Sequence, residues 1–362
     1  MNIRNILFSL IFIMSFMLNS CGSNGSSNKI KPSNPGPASC LASSKSASPA
    51  IEFKIDIAQP TLNFSTPLGQ LTPKQNNPFS IVGGTDATIN NSFAPAQTNT
   101  VAITIGNSVC TGTVVASNLI LTAAHCFDNA DFNSTSPGNV IFSNDLNLGT
   151  TVPISCWQRN SNYISCAEYS IYSCVLNDIA WVKINGNVST YNYSPVSILT
   201  NPQNISTTET KWMAGFGKLN DTLNNSSGHK FFVNTPLRGT HDQILSDRVA
   251  LFNSGSSSNA FQNYLTVIGP YTGLGSCEGD SGGPVYIART NVSNGSTQYV
   301  LAALTQGNNN ILTPKPSGSY PSFTYDYSTL ANCNDGFGVY TTVGNFVNWI
   351  TSTSGVSVTT YP

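Results

Sequence analysis

The sequence predicts an all-β fold, and its composition is the basis for that prediction. Only 9% of the 362 residues are charged, while 40% are hydrophobic. Asn, Ser, Thr and Gly fill much of the remainder, as is typical of proteins with many short strands joined by polar turns. The length suffices for one double-sized β domain, or for two small domains that share an interface.

The net charge argues against one class of partner. The chain has 15 basic and 16 acidic residues, and its formal net charge is −1. Binding to the phosphate backbone of nucleic acid relies on an excess of Lys and Arg. We therefore expect no nucleic-acid partner.

The first twenty residues predict export. Arg4 provides a positive charge, and residues 6–18 form an apolar run that only two serines interrupt. The run is too short to span a membrane but has the length of a signal peptide, which we assign to residues 1–20. It ends in residues 18–21 (Leu-Asn-Ser-Cys), which resemble the lipobox of bacterial lipoproteins and imply lipidation of Cys21. An ordinary signal peptide with a nearby cysteine is the alternative.

A tether and a pro-segment are predicted to follow. Residues 21–50 consist mostly of Ser, Asn, Pro, Gly, Ala and Lys, a composition that buries too little apolar surface to fold. We assign residues 51–80, where a short alternating strand pattern precedes a turn-rich stretch, to a pro-segment. Acyl chains on Cys21 would hold the protein on a membrane. We expect an exported protein, lipid-anchored in a bacterial outer membrane or at a cell surface, or else secreted, with the lipid as its only membrane contact.

Three motifs between residue 81 and the C-terminus resemble those of a known protein family. Residues 81–84 read Ile-Val-Gly-Gly, residues 122–126 read Thr-Ala-Ala-His-Cys, and residues 279–284 read Gly-Asp-Ser-Gly-Gly-Pro. In this order they resemble the chymotrypsin/trypsin-like serine proteases. The resemblance implies two six-stranded antiparallel β-barrels with the active site between them and a short C-terminal helix, formed by a protease domain over residues 81–362.

The resemblance also implies a catalytic triad. His125 and Ser281 stand in the family's motifs, and Asp178 begins an Asp-Ile-Ala sequence that matches the family's pattern. A serine hydroxyl becomes a good nucleophile when an imidazole accepts its proton and a buried carboxylate orients that imidazole. The backbone N–H groups of Gly279 and Ser281 would form the oxyanion hole. This predicts a serine endopeptidase that acts on proteins or peptides through an acyl-enzyme; the alternative is a catalytically silent relative that binds protein at a surface.

The order of the residues excludes another hydrolase class. The motif around Ser281 also fits the nucleophile turn of α/β-hydrolases, in which the histidine follows the serine. The three histidines, His125, His229 and His241, all precede Ser281. Neither His229 nor His241 has a carboxylate or cysteine at metal-ligand spacing, so we predict surface or satisfied roles for both, and no metal or cofactor.

In the family, cleavage before the Ile-Val-Gly-Gly motif creates an amine that pairs with the acid before the nucleophile. Here that pair would be Ile81 and Asp280, and an unpaired buried acid would keep the zymogen disordered. The residue before the cleavage point is Ser80, where the family usually has Lys or Arg. We expect an activating protease that accepts Ser80 or trims progressively. Activity without cleavage remains an alternative.

The resemblance places the substrate pocket around five residues. The position six residues before Ser281, where trypsin-like enzymes keep an aspartate, is a glycine, so cleavage after Lys or Arg is not expected. A neutral pocket with glycine walls favours large apolar side chains, with small residues as the alternative. The expected pocket residues are Gly275, Ser276, Thr305, Gly307 and Gly338.

Nine cysteines suggest disulfides in an oxidising compartment. Family spacing pairs Cys110 with Cys126, and Cys277 with Cys333. The four that remain besides Cys21 are Cys40, Cys156, Cys166 and Cys174. If all four are oxidised, Cys40 must pair with one of the other three and keep the pro-segment attached; a free Cys40 is the alternative. No role follows for the insertions at 156–174 and 308–332.

Two further patterns concern the fold. The spacing of Phe346, Val347, Trp349 and Ile350 fits one face of a short C-terminal helix. Residues 213–217 (Met-Ala-Gly-Phe-Gly) resemble a Gly-Trp-Gly turn of the family, with Phe in place of Trp. We expect this turn to have a structural role.

Overall fold

A computed structural model describes residues 81, 84–128, 137–163, 177–201, 205, 209–218, 228–236, 264–267, 275–291, 294–310 and 336–362. The predicted signal peptide, tether and pro-segment lie outside these residues. So do Cys166, Cys174, Cys333 and His241. Among the described residues, no helix is long and apolar enough to cross a membrane.

Six antiparallel strands form a closed barrel in the order β2-β3-β4-β7-β6-β5. They are β2 (Thr100–Ile105), β3 (Ser108–Ala116), β4 (Leu119–Thr122), β5 (Gly138–Phe142), β6 (Thr150–Arg159) and β7 (Ala180–Ile184). This confirms the first of the two predicted barrels.

The barrel closes around β-branched and aromatic side chains. Ile103, Ile120 and Val182 come from three of its strands and are fully buried. Phe127 and Trp157 stack with ring centroids 4.4 Å apart. Such side chains favour pleated strands and supply most of the apolar area that stabilises the barrel.

The other described strands form one nine-stranded sheet. Its main path runs β1-β10-β9-β12-β13-β14-β11, and β8 pairs with β13 and β15. The strands are β1 (Thr85–Asp86), β8 (Ile198–Leu199), β9 (Thr210–Gly215), β10 (Phe231–Pro236), β11 (Tyr264–Val267), β12 (Pro284–Thr290), β13 (Thr297–Asn310), β14 (Gly336–Thr342) and β15 (Thr360–Tyr361). The described strands of this sheet do not form a closed barrel, and segments 237–263 and 311–335 lie outside the described residues. The second barrel stays a prediction.

The described residues also include two short α-helices, α1 (Ala94–Thr98) and α2 (Val347–Ser354). The predicted C-terminal helix is confirmed by α2, which buries Ile350 against the core and ends at Gly355 with a left-handed φ of 67°. Trp181 of β7 donates a hydrogen bond from Nε1 to Oγ1 of Thr353 at 2.9 Å. The C-terminal helix is thereby attached to the closed barrel.

Candidate active site

A histidine and a buried aspartate meet at the ends of two neighbouring strands. His125 opens a 3-10 turn shortly after β4, and Asp178 lies just before β7. Thr122 at the end of β4 pairs with Ala180 at the start of β7, so the two side chains start close together. Nδ1 of His125 lies 2.7 Å from Oδ2 of Asp178, and the backbone N–H of His125 donates to Oδ1 at 2.9 Å.

The carboxylate determines which imidazole nitrogen carries the proton. The Asp178 side chain is 1% exposed and that of His125 is 27% exposed. An ionised carboxylate only accepts hydrogen bonds, so Nδ1 donates to it. Nε2 is then the nitrogen that can take up a proton, which is the geometry of a general base oriented by an acid.

Ser281 lies in the turn that leads into β12, and its backbone is bound next to the histidine segment. Its carbonyl oxygen accepts a hydrogen bond from the N–H of Thr111 at 2.8 Å. Sγ of Cys126 lies 3.9 Å from the same oxygen. Cys126 follows His125 directly and forms the predicted disulfide with Cys110. The structure thus brings the turn of Ser281 and the segment of His125 together.

Gly282 packs directly against the segment that leads to His125. A Cβ at Gly282 would overlap the hydroxyl of Thr122 and lie 2.6 Å from the backbone N of Ala123. Both residues belong to the segment that leads to His125. Only glycine allows the turn of Ser281 to lie this near.

The turn of residues 279–283 has a tightly folded backbone. The N–H of Asp280 donates to the carbonyl of Cys277 at 3.0 Å, and the N–H of Gly283 donates to the carbonyl of Asp280 at 2.8 Å. Gly279 has a φ of 98° and Gly282 a φ of 78°. Residues with a side chain are strained at such angles, which explains the two glycines of the motif at these positions.

Asp280 is buried beside the Gly-Phe-Gly turn. Its side chain is 1% exposed and accepts backbone hydrogen bonds from Gly217 at 2.8 Å and Cys277 at 2.9 Å. A Cβ at Gly217 would lie 2.5 Å from its carboxyl carbon. Burial raises the pKa of Asp280 to about 7, and the two N–H donors oppose this shift.

Ile81 lies in the core of the second sheet in the intact chain. Its side chain is 1% exposed and packs in a cluster with Met213 and Phe231. Its carbonyl accepts a hydrogen bond from Gly84 at 2.5 Å. The side-chain hydrogen bonds described for Asp280 come from backbone N–H groups and not from Ile81, whose nitrogen is still part of a peptide bond.

The predicted pocket residues precede and follow the turn of residues 279–283 in the sequence. Gly275 and Ser276 precede it, Thr305 and Gly307 lie in β13, and Gly338 lies in the adjacent strand β14. Among the described residues, a Cβ added at Gly275 or Gly307 would meet no heavy atom within 4 Å. No described residue therefore fills the space beside either glycine, and none of the five residues carries a charge.

Three other residues named in the sequence prediction form disulfides or lie close to charged groups. Cys156 and Cys277 are each disulfide-bonded, and Cys333, predicted to pair with Cys277, lies outside the described residues. The half-exposed His229 lies between two carboxylates. Its Nδ1 is 3.1 Å from Oδ2 of Asp86 and its Nε2 is 3.5 Å from Oδ2 of Asp145.

The sequence interpretation missed two contacts of this site. Gly217 was expected to serve the fold alone, yet its N–H binds Asp280. Thr111 was not singled out, although it binds the turn of Ser281. The only sequence signal for Thr111 is its position directly after Cys110, which forms a disulfide with Cys126 of the histidine motif.

Comparison with known proteins agrees with this geometry. A model of the trypsin family matches residues 81–350. The chain is 24% identical over 269 residues to the CLIP domain-containing serine protease HP8 of Bombyx mori, which covers 67% of this chain and 61% of the relative. It is 23% identical over 258 residues to the hepatocyte growth factor activator serine protease of Mus musculus, covering 69% and 33%.

A shorter relative aligns over almost its whole length. Trypsin V-B of Rattus norvegicus is 27% identical over 296 residues, which is 80% of this chain and 96% of the relative. The chain spans less than two thirds of the Bombyx and Mus relatives. The family match covers most of the chain, from the Ile-Val-Gly-Gly motif to the C-terminal helix. The chain belongs to the trypsin family of serine proteases.

Proposed function

We propose that the chain is a serine endopeptidase with His125, Asp178 and Ser281 as its catalytic triad. The observation that carries this proposal is the contact of His125 with the buried Asp178, in which Nδ1 lies 2.7 Å from Oδ2. The hydrogen bond from Thr111 to the carbonyl of Ser281 supports the third member, because it holds the serine turn beside the histidine segment.

The reaction follows from these roles. Oγ of Ser281 attacks the substrate carbonyl carbon while its proton passes to Nε2 of His125. The N–H groups of Gly279 and Ser281 stabilise the oxyanion that forms, and a lost donor of this kind typically costs about 2.7–4 kcal/mol. The proton then passes from His125 to the leaving amine as the C–N bond breaks. Water, activated by the same histidine, hydrolyses the acyl-enzyme.

The substrate preference is proposed to be large apolar residues on the acyl side of the cleaved bond. No described residue lies within 4 Å of a Cβ added at Gly275 or Gly307, and a neutral pocket offers no partner to Lys or Arg. A preference for small residues is the alternative, since Thr305 and the segment after Gly307 can narrow the pocket.

We infer that the chain is made as a zymogen. The buried Asp280 accepts only backbone N–H groups in its described hydrogen bonds, and a new amine at Ile81 would supply the missing positive charge. The amine would have to move to Asp280, as Ile81 is packed in the core before cleavage. Export, lipidation at Cys21 and an activating protease that accepts Ser80 complete this proposal.

The test is hydrolysis of a peptide library by the intact chain and by the chain trimmed to Ile81. Ser281→Ala is the matched control, and it should lower turnover by about 10⁶-fold. We expect cleavage after large apolar residues and faster cleavage by the trimmed chain. Cleavage after Lys or Arg contradicts the proposed pocket, and equal rates contradict the zymogen. No cleavage by either form contradicts the enzyme and favours a binding protein with a silent site.

A further inference from the structure

Thr111 contacts the turn of residues 279–281 through both its backbone and its side chain. It lies in β3 directly after the disulfide-bonded Cys110 and is fully buried. Its backbone N–H donates to the carbonyl of Ser281 at 2.8 Å. Its hydroxyl donates to the carbonyl of Gly279 at 2.9 Å. The same hydroxyl accepts a hydrogen bond from the N–H of Phe216 at 3.1 Å.

These bonds fix the direction of the hydroxyl. A hydroxyl has a single proton, so its donation to Gly279 and its acceptance from Phe216 together define one orientation. The carbonyl of Thr111 in turn accepts a hydrogen bond from Oγ1 of Thr122 at 2.8 Å. Thr122 lies three residues before His125, so Thr111 connects the serine turn to the histidine segment.

We propose that the Thr111 hydroxyl positions the oxyanion hole, an inference that rests on the protease function proposed above. Gly279 has a φ of 98°, and glycine can rotate between backbone conformations at low cost. A hydrogen bond to its carbonyl fixes the peptide plane between Gly279 and Asp280, which is joined at the Cα of Gly279 to the plane that carries its own N–H. Fixing the first plane limits how the second can rotate, and so restricts the direction of the Gly279 N–H, one of the two proposed oxyanion donors.

A second contact strengthens this positioning. The N–H of Phe216 binds the Thr111 hydroxyl, and the next N–H along the chain, that of Gly217, donates to Asp280 at 2.8 Å. The segment of Phe216 and Gly217 therefore binds the turn in two ways, through the Thr111 hydroxyl and directly at Asp280. Removing the hydroxyl leaves the carbonyl of Gly279 and the N–H of Phe216 without this buried partner, which favours other backbone conformations of the turn.

The test replaces the hydroxyl without changing the size of the side chain. Thr111→Val removes it, Thr111→Ser retains it, and Thr113→Val is the matched control. Thr113 is a buried threonine of the same strand that pairs with Thr100 and Leu121, and it has no described hydrogen bond to residues 279–281. We expect Thr111→Val to lower kcat by about 10- to 100-fold, which is less than the roughly 10²- to 10³-fold loss when an oxyanion-hole donor itself is removed, and to leave KM nearly unchanged. The serine variant and the Thr113 control should stay close to wild type.

A second readout separates positioning from a general structural role. A peptide aldehyde forms a tetrahedral adduct whose oxygen occupies the oxyanion hole, whereas the corresponding peptide alcohol does not. Thr111→Val should weaken aldehyde binding by the same factor as kcat and leave alcohol binding unchanged. If the valine variant fails to fold, Thr111→Ala allows the same comparison.

The outcomes distinguish the two proposals. An active wild type with unchanged kcat and aldehyde binding in Thr111→Val, or equal losses in aldehyde and alcohol binding, overturns the positioning role alone. A wild type that hydrolyses no peptide overturns the protease function and, with it, the role of Thr111.

Discussion

The Asp178 carboxylate binds His125 through both of its oxygens. Oδ1 accepts the backbone N–H of His125 at 2.9 Å, and Oδ2 lies 2.7 Å from Nδ1. The backbone contact determines which oxygen faces the ring. An amide in this place would keep the backbone contact with its oxygen and turn its NH₂ group toward Nδ1.

The variant Asp178→Asn therefore tests the role of the carboxylate. Nδ1 would have to accept a hydrogen bond, so the proton would move to Nε2 and the base would be lost. We expect kcat to fall by about 10⁴-fold at neutral pH with little change in KM. Steady-state kinetics on a peptide selected from the library measures this, with thermal unfolding as a check on the fold. A kcat within tenfold of wild type would contradict the role assigned to Asp178.

Among the elements, the serine turn and the end of β4 fit together without space for a side chain. Gly282 has a φ of 78° and abuts Thr122 and Ala123. Gly295, in the turn between β12 and β13, has a similar φ of 70°, but no heavy atom of the described residues lies within 4 Å of a Cβ added there. Substitutions at these two glycines therefore distinguish the cost of backbone strain from the cost of steric overlap.

We expect Gly295→Ala to lower the free energy of unfolding by about 1–2 kcal/mol, the cost of a left-handed conformation. Gly282→Ala should cost more, because the turn must also move away from β4, and it should abolish most of the activity. Urea unfolding and peptide hydrolysis of both variants measure these effects. Equal losses of stability, or full activity of Gly282→Ala, would show that the close packing of the turn is unimportant.

The elements that the sequence predicted correctly are those with local signals. The all-β class followed from composition, the first barrel from the family resemblance of the three motifs, and the disulfide between Cys110 and Cys126 from family spacing. Helix α2 followed from the apolar spacing before Gly355. Helix α1 was not predicted, because five residues beginning Ala-Pro-Ala-Gln carry no apolar period.

Contacts between distant residues could not be predicted in this way. Lys230 would be expected in solvent, yet it is fully buried, which lowers its pKa well below the usual range. Its Nζ donates to the carbonyl of Ala96 at 2.7 Å and to Oδ1 of Asn144 at 2.8 Å. Thr111 likewise binds Gly279 across a separation of 168 residues. Such partners depend on the assembled tertiary structure, and no local pattern of residues indicates them.

For the whole molecule, the burial of Asp280 couples stability to pH. Its pKa is raised to about 7 in the folded chain, against about 3.9 when unfolded. Between these values the folded chain holds a proton that the unfolded chain releases. Stability therefore falls as pH rises from about 4 to 7, and the cost above pH 7 is on the order of 4 kcal/mol.

The pH dependence of stability is best measured in the intact Ser281→Ala chain, because that variant cannot cleave itself. Asp280→Asn on that background should reduce the loss of stability between pH 4 and 7, as measured by urea unfolding across this range. After trimming to Ile81, a paired amine should stabilise the carboxylate and reduce the same slope with Asp280 in place. A slope that neither the substitution nor trimming changes would contradict both the burial effect and the activation pair.

The most direct test of the central claim is covalent labelling with a fluorophosphonate, which reacts with serine hydroxyls activated by a base. The intact and trimmed chains would be treated, digested and mapped by mass spectrometry, with His125→Ala as the control. The proposed triad predicts one phosphonylated residue, Ser281, and no adduct in the control. An unlabelled Ser281 in both forms, or equal labelling without His125, would contradict the claim that this chain is a serine protease.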